Sequence, residues 1–188
     1  MYWIFGAIEE LLPLIAFFAI EGIYGFNAGV FGMVTILILL TVSSILLQRT
    51  LPRFALVSTL LVLVFTLATL LTGDPAYFQF SDTLLEGILG IVLLVSWWHK
   101  RPLLKSLFGR VFAITDYAWL LLTRRWGIIL TLSALGNEII RLTSSTDAWT
   151  LYKFISTGGI LLFGCYQFTV SMRYRIKGEA NRFGLRIH

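Results

Sequence analysis

Glu138, Arg141 and Lys153 are the charges that most need an explanation, because each interrupts an otherwise apolar run. Asn137 stands directly before Glu138. A carboxylate, a guanidinium, an amine and an amide in low dielectric can do one of two things. They can tie helices together, or they can pass a proton or a polar solute from one to the next. The polar turn Thr143–Asp147 separates the two runs, which predicts an antiparallel helical hairpin. Glu138 lies six residues before Ser144, and Lys153 six after Asp147. At 1.5 Å per residue both sit about 9 Å from the turn, so the spacing predicts a Glu138–Lys153 ion pair. Arg141, one turn from Glu138, can share the carboxylate, and Asn137 can hydrogen-bond between helices. An unpaired charge at that depth costs roughly 3 kcal/mol, so pairing is expected. Both roles, helix lock and relay, stay open from sequence.

Glu86 is a second acid inside an apolar run. Thr83-Leu84-Leu85-Glu86 has the spacing of a capping box, which predicts a helix N-terminus at this point; a transport role for Glu86 is the alternative. His99 and His188 have no metal-ligand partner nearby in sequence, and Cys165 is the single cysteine. The chain has no GxSxG, no HExxH, no phosphate-cradling glycine loop and no Cys/His pair spaced for catalysis. No catalytic residue, metal or cofactor is therefore expected. Interleaved basic and aromatic residues near Tyr174 read as membrane-surface anchoring, with no nucleic-acid partner. Gly158-Gly159 and Gly164 suggest close helix packing.

The elements that must position these residues follow from composition. Of 188 residues, 57% are hydrophobic and 13% charged, and mean hydropathy is +0.84. A soluble domain carries about 25% charged residues, so this chain reads as an integral membrane protein. Five runs approach the roughly 20 apolar residues a span needs: Ala28–Leu47, Phe54–Leu71, Thr83–Trp98, Trp126–Leu142 and Trp149–Met172. The opening segment Leu11–Ile23 is weaker, with Pro13 disrupting its start and Glu21 its end; it reads as a short or re-entrant helix or a sixth span. The first residues lack a basic n-region and carry Glu9 and Glu10, so no cleavable signal peptide is expected.

Thirteen of the fifteen basic residues, all but Arg141 and Lys153, fall on alternate connections or the tail. Arg49 and Arg53 follow the first run. Lys100, Arg101, Lys105, Arg110, Arg124 and Arg125 follow the third, and Arg173, Arg175, Lys177, Arg182 and Arg186 form the tail. The positive-inside rule places that face and the C-terminus in the cytoplasm. In the connector 99–125, Leu104, Leu107, Phe108 and Val111 repeat at helical spacing, flanked by Lys105 and Arg110. This predicts an amphipathic helix. Lys100, Arg101, Lys105 and Arg110 would face anionic lipid, or the helix would pack on the ends of the bundle. The expected fold is an all-α polytopic integral membrane helix bundle: five transmembrane helices, a short N-terminal hydrophobic helix and the amphipathic cytoplasmic connector. Residues 1–172 form one transmembrane domain, and 173–188 a basic, flexible cytoplasmic tail. Trp126 and Trp149 are expected to mark membrane interfaces.

With these residues in view, the chain resembles the intracellular septation protein A family, also called the inner membrane-spanning protein YciB family, over nearly its whole length. Leu12-Pro13-Leu14-Ile15-Ala16-Phe17-Phe18, followed by Tyr24-Gly25, is similar to the family's opening LPL-x-x-FF motif. Gly73-Asp74 falls in its expected outer loop. Arg101-Pro102-Leu103-Leu104 with Gly109 is similar to its KPL…LG loop. Trp119, Trp126, Asn137, Trp149 and Lys153 match its C-terminal pattern in identity and spacing. The chain departs from the family at Glu21, where a basic residue is usual. It departs again at Gln79-Phe80-Ser81-Asp82-Thr83, where K-W-K-P-T is common in the outer loop. The resemblance implies a divergent member: a non-enzymatic protein of the bacterial inner membrane supporting envelope maintenance and septation, with elongation and division membrane proteins, besides lipids, as partners. A lipid or small-solute transporter using Asn137, Glu138 and Lys153 is the competing reading.

Overall fold

The computed structural model describes the backbone of residues 2–48 and 53–187, with side chains for 12–43, 46 and 60–187. Among the described residues seven helices follow in order: α1 Tyr2–Tyr24, α2 Phe26–Gln48, α3 Arg53–Thr72, α4 Ala76–Trp98, α5 Leu103–Phe108, α6 Asp116–Thr143 and α7 Thr146–Arg173. Phe26–Ser43 of α2, α4, α6 and α7 are long and apolar enough to cross a membrane, and Leu12–Tyr24 and Leu60–Thr72 are shorter apolar helices. The chain is an all-α polytopic membrane protein. Arg49 lies outside the described residues, as do the side chains of Glu9, Glu10 and Arg53. Two compact units divide the chain, Met1–Ser81 and Asp82–His188.

In the first unit α1 and α2 form an antiparallel hairpin around one residue, Gly25, whose φ of +86° suits only glycine. A Cβ on Gly29 would stand 2.7 Å from the Glu21 Cβ, and one on Gly32 2.2 Å from the Ile20 Cδ1. The two helices therefore touch along their glycine face. The sequence reading that Pro13 disrupts the start of α1 does not hold: Pro13 lies inside a continuous helix. Phe17 is buried and packs edge-on against Phe18 and Phe26 and stacks on Phe78 at 6.0 Å.

The helix expected to start at Thr83 starts at Ala76. Gly73 turns the chain at φ +74°, the Asp74 Oδ1 accepts from the Ala76 N–H, and the Thr69 Oγ1 accepts from the Phe78 N–H at 2.9 Å. Gly-Asp-Pro is a helix stop followed at once by a helix start. It outweighs the Thr83–Glu86 capping box, which lies in mid-helix. Residues 79–83 are accordingly helical rather than an outer loop, with Gln79 and Ser81 buried.

In the second unit α6 and α7 form the antiparallel hairpin read from the sequence. Thr115 caps α6 and Ser145 caps α7 through their hydroxyls. The α4 segment from Asp82 crosses α6 closely where side chains are smallest. A Cβ on Gly90 would meet the Thr131 N at 2.7 Å, and one on Gly127 the Leu94 Cγ at 2.9 Å. Gly158 and Gly159, singled out from sequence, have nothing within 4 Å, while Gly164 receives the Trp126 ring. Along α6 the exposed face is Ile128, Leu132, Leu135, Ile139 and Leu142, and the buried face includes Thr123, Gly127, Ala134 and Asn137. Apolar outside and small or polar inside is the arrangement lipid selects.

The connector and tail differ most from expectation. The amphipathic helix is short, α5 alone; the chain turns through Gly109, Arg110 and Val111 and is then extended to Thr115, and Arg124 and Arg125 belong to α6. Arg124 lies over the Trp97 ring, and Arg125 over Tyr166 while donating to the Gln167 Oε1. The tail is folded. Isolated antiparallel bridges join Phe112 to Leu185 and Ile114 to Arg175. Ala113 and Ile176 N–H groups donate to the Gly184 and Ala113 carbonyls at 2.9 Å. Ala113, Ile114, Ala180 and Gly184 are buried beneath this layer. The core under it is Ile114, Ala118, Trp119, Leu122 and Val170, with Leu104 and Tyr174 packed against its edge.

Candidate functional site

Near the α6–α7 turn, side chains from α4, α6 and α7 meet in one polar network. The Lys153 Nζ lies 3.0 Å from the Asp82 Oδ2 and 3.1 Å from the Glu86 Oε1, and all three side chains are largely buried. Beside this triad the Trp149 Nε1 donates to the Asn137 Oδ1 at 2.8 Å, and the Asn137 Nδ2 donates to the Thr83 Oγ1 at 2.8 Å. The Thr83 hydroxyl donates to the Glu138 Oε2 at 3.0 Å. Arg141 closes the chain, with Nε on the Glu138 Oε2 at 3.0 Å and a second nitrogen on Oε1 at 2.5 Å. Asp82 and Thr83 lie four and three residues before Glu86, so each stands beside Glu86 on the side of α4 that meets α6 and α7.

The expected Glu138–Lys153 ion pair is not the one that forms. Lys153 turns to α4, and Glu138 stays on its own helix with Arg141. Equal depth allowed the pairing, but α6 and α7 each present a second face to α4. The two acids of α4 give the ammonium two partners where Glu138 offers one. Glu86 is therefore an ion-pair partner of Lys153 rather than a cap. Asp82, which stands where the resembled family commonly has Pro, supplies the other carboxylate. Asn137 hydrogen-bonds between helices as expected, to α7 and to α4.

Trp149 is only 1% exposed, with its indole N–H engaged. It is a core residue, not an interface marker. Trp119 is likewise buried in the core under the tail, and Trp126 packs edge-on against Phe163. Tyr152, which the sequence reading passed over, donates to the Ser133 carbonyl at 3.1 Å and occupies the space left by Gly136. Gly136 and Tyr152 lie at similar distances on either side of the α6–α7 turn, and a glycine facing an aromatic at matched depth was the signal available for it.

The basic residues expected to face lipid are spread over the connector. Lys100, Arg101, Lys105 and Arg110 are all exposed, and Lys105 pairs with Asp116. Pro102 precedes α5 and Gly109 ends it. Two atoms are buried and lack a hydrogen-bond partner among the described residues: the Glu86 Oε2 in the network and, in the first unit, the Thr66 Oγ1.

The family model described as intracellular septation protein A matches residues 6–177. The chain belongs to the intracellular septation protein A family. Curated relatives carry the name inner membrane-spanning protein YciB. One from a Bradyrhizobium species is 28% identical over 91% of this chain and 86% of its own. One from Afipia carboxidovorans is 29% identical over 92% and 87%. One from Agrobacterium fabrum is 32% identical over 73% and 68%. No solved structure matches the chain. The range matched by the intracellular septation protein A family contains Trp119, Trp126, Asn137, Trp149 and Lys153, and with them every residue of the network.

Proposed function

We propose that this protein is a non-enzymatic scaffold of the bacterial inner membrane that supports envelope maintenance and septation. The carrying observation is the network that joins α4, α6 and α7. Its charges are spent on each other, Lys153 with Asp82 and Glu86, and Arg141 with Glu138. That use suits a rigid platform better than a reaction centre. The relatives' names, septation and inner membrane, support the biological setting. In this reading the folded connector and tail face the cytoplasm, and α1 crosses the bilayer with the N-terminus on the same side. Elongation and division membrane proteins dock on the exposed basic edge of the tail, Arg175, Lys177 and Arg182.

The test is charge reversal of those three residues to Glu in cells that depend on the protein. Loss of septal localisation with normal protein level is expected. Unchanged localisation and cell shape would remove the docking role from the tail.

A second reading, transport of a lipid or small solute past Asn137, Glu138 and Lys153, is favoured by one observation, the unpartnered Glu86 Oε2. It requires water or solute to reach that oxygen. In a Cys165→Ser background, Glu86→Cys should stay unlabelled by a membrane-impermeant thiol reagent if the network is a lock. Rapid labelling would favour transport.

A further inference from the structure

We infer that the end of α4 carries a seat for one anionic phospholipid headgroup, built from His99 and Arg101. A wide-open depression of about 540 Å³, lined by Ser96, His99, Arg101 and Leu103, lies there. Its walls are fixed by the way the helix ends. Lys100 takes the left-handed conformation at φ 57°. The Arg101 N–H then donates back to the Ser96 carbonyl at 3.0 Å, and the Lys100 N–H to the Trp97 carbonyl at 2.9 Å. The Ser96 hydroxyl clamps the other side, donating to the Arg101 carbonyl and accepting from the Leu103 N–H. The backbone under Arg101 is thus held at four points, while its guanidinium makes no hydrogen bond or ion pair among the described residues.

The connector segment that carries the seat is basic in sequence. Residues 99–115 contain Lys100, Arg101, Lys105 and Arg110 and no acid. Nearby Asp116 is engaged by Lys105. A guanidinium with a free fork binds a phosphate through two parallel N–H···O bonds. Depth decides that the phosphate is a lipid's. The depression sits at the end of an apolar helix closed by Trp97 and Trp98, the position indoles take at the headgroup level, and Trp98 is 77% exposed. Acyl chains would run down the outer face of α4 over Ile88, Ile91 and Val95, which are exposed. A basic pocket at the end of a span is where anionic headgroups are held.

The experiment uses the full-length protein in nanodiscs of mixed phosphatidylcholine and phosphatidylglycerol, released into the gas phase and read by native mass spectrometry for lipid retained. Wild type should retain phosphatidylglycerol over phosphatidylcholine. The double variant His99→Gln, Arg101→Gln should lose that preference several-fold, and Arg101→Lys should keep part of it. The tail variant Lys177→Gln, Arg182→Gln should keep all of it and shows that general charge loss is not the cause. Equal retention by wild type and the double variant would overturn the seat. Abolition of the preference by inorganic phosphate added alone would overturn its assignment to a lipid.

Discussion

At the scale of single residues, the network is governed by the cost of leaving a buried group without its partner. Lys153→Met strands Asp82 and Glu86 together, which should cost on the order of 3 kcal/mol and lower the thermal midpoint of the purified protein well below that of a surface variant. Charge exchange tests the pairing directly. Glu138→Lys with Lys153→Glu should leave protein levels no better than the worse single variant. Glu86→Lys with Lys153→Glu should recover part of the loss. The opposite pattern would restore the pairing expected from sequence depth. Asn137→Leu removes an acceptor from Trp149 and a donor from Thr83. A loss of about 1–2 kcal/mol is expected, read as a fall in unfolding temperature with a red shift in indole fluorescence. The importance of these residue types was legible in the sequence, because charges in apolar runs stand out. Their partners were not, because depth along two helices says nothing about the third helix that faces them both.

At the scale of elements, helix contact is set by where side chains are absent. Gly90 and Gly127 let α4 and α6 touch, so Gly90→Leu or Gly127→Leu should abolish stable expression. Gly158→Ala and Gly159→Ala enter open space and should be neutral, or stabilising by up to about 1 kcal/mol through helix propensity. A sequence places glycines on a helix but not the neighbour they face, which is why the Gly158-Gly159 pair was mistaken for the contact. The α1–α2 hairpin carries a topological prediction. At 1.5 Å per residue, α1 spans about 35 Å, enough for a hydrocarbon core of about 30 Å. The single-residue turn at Gly25 returns the chain along the same path. A reporter fused before Tyr2 should therefore read cytoplasmic. A periplasmic signal would mean that α1 does not cross.

At the scale of the whole chain, the C-terminal tail is part of the fold of the second unit. The N–H groups of Ala113, Thr115, Ile176 and Arg186 are all bonded across the connector and tail. Hydrogen exchange at these four amides should be slowed well beyond that of an open chain. Exchange at random-coil rates would return the tail to the flexible state its composition suggested. Composition misled here because five basic residues and two glycines in the tail look like solvated chain. The segment 111–115 offers unpaired backbone groups that only an extended partner can satisfy, and the tail supplies them.

What the sequence determined by itself is the class of molecule and its family. Apolar runs of bilayer length, basic residues on alternate connections and an ordered set of Pro, Trp, Asn and Lys positions are local properties, so they survive without coordinates. Only the tertiary structure decided that Lys153 belongs to α4 rather than to Glu138, that Trp149 is a buried donor, that α4 begins at Gly-Asp-Pro, and that the tail is folded. Each of these depends on which face of one element meets another. That choice is made by packing and by the need to pair every buried polar group, terms that involve residues far apart in the chain.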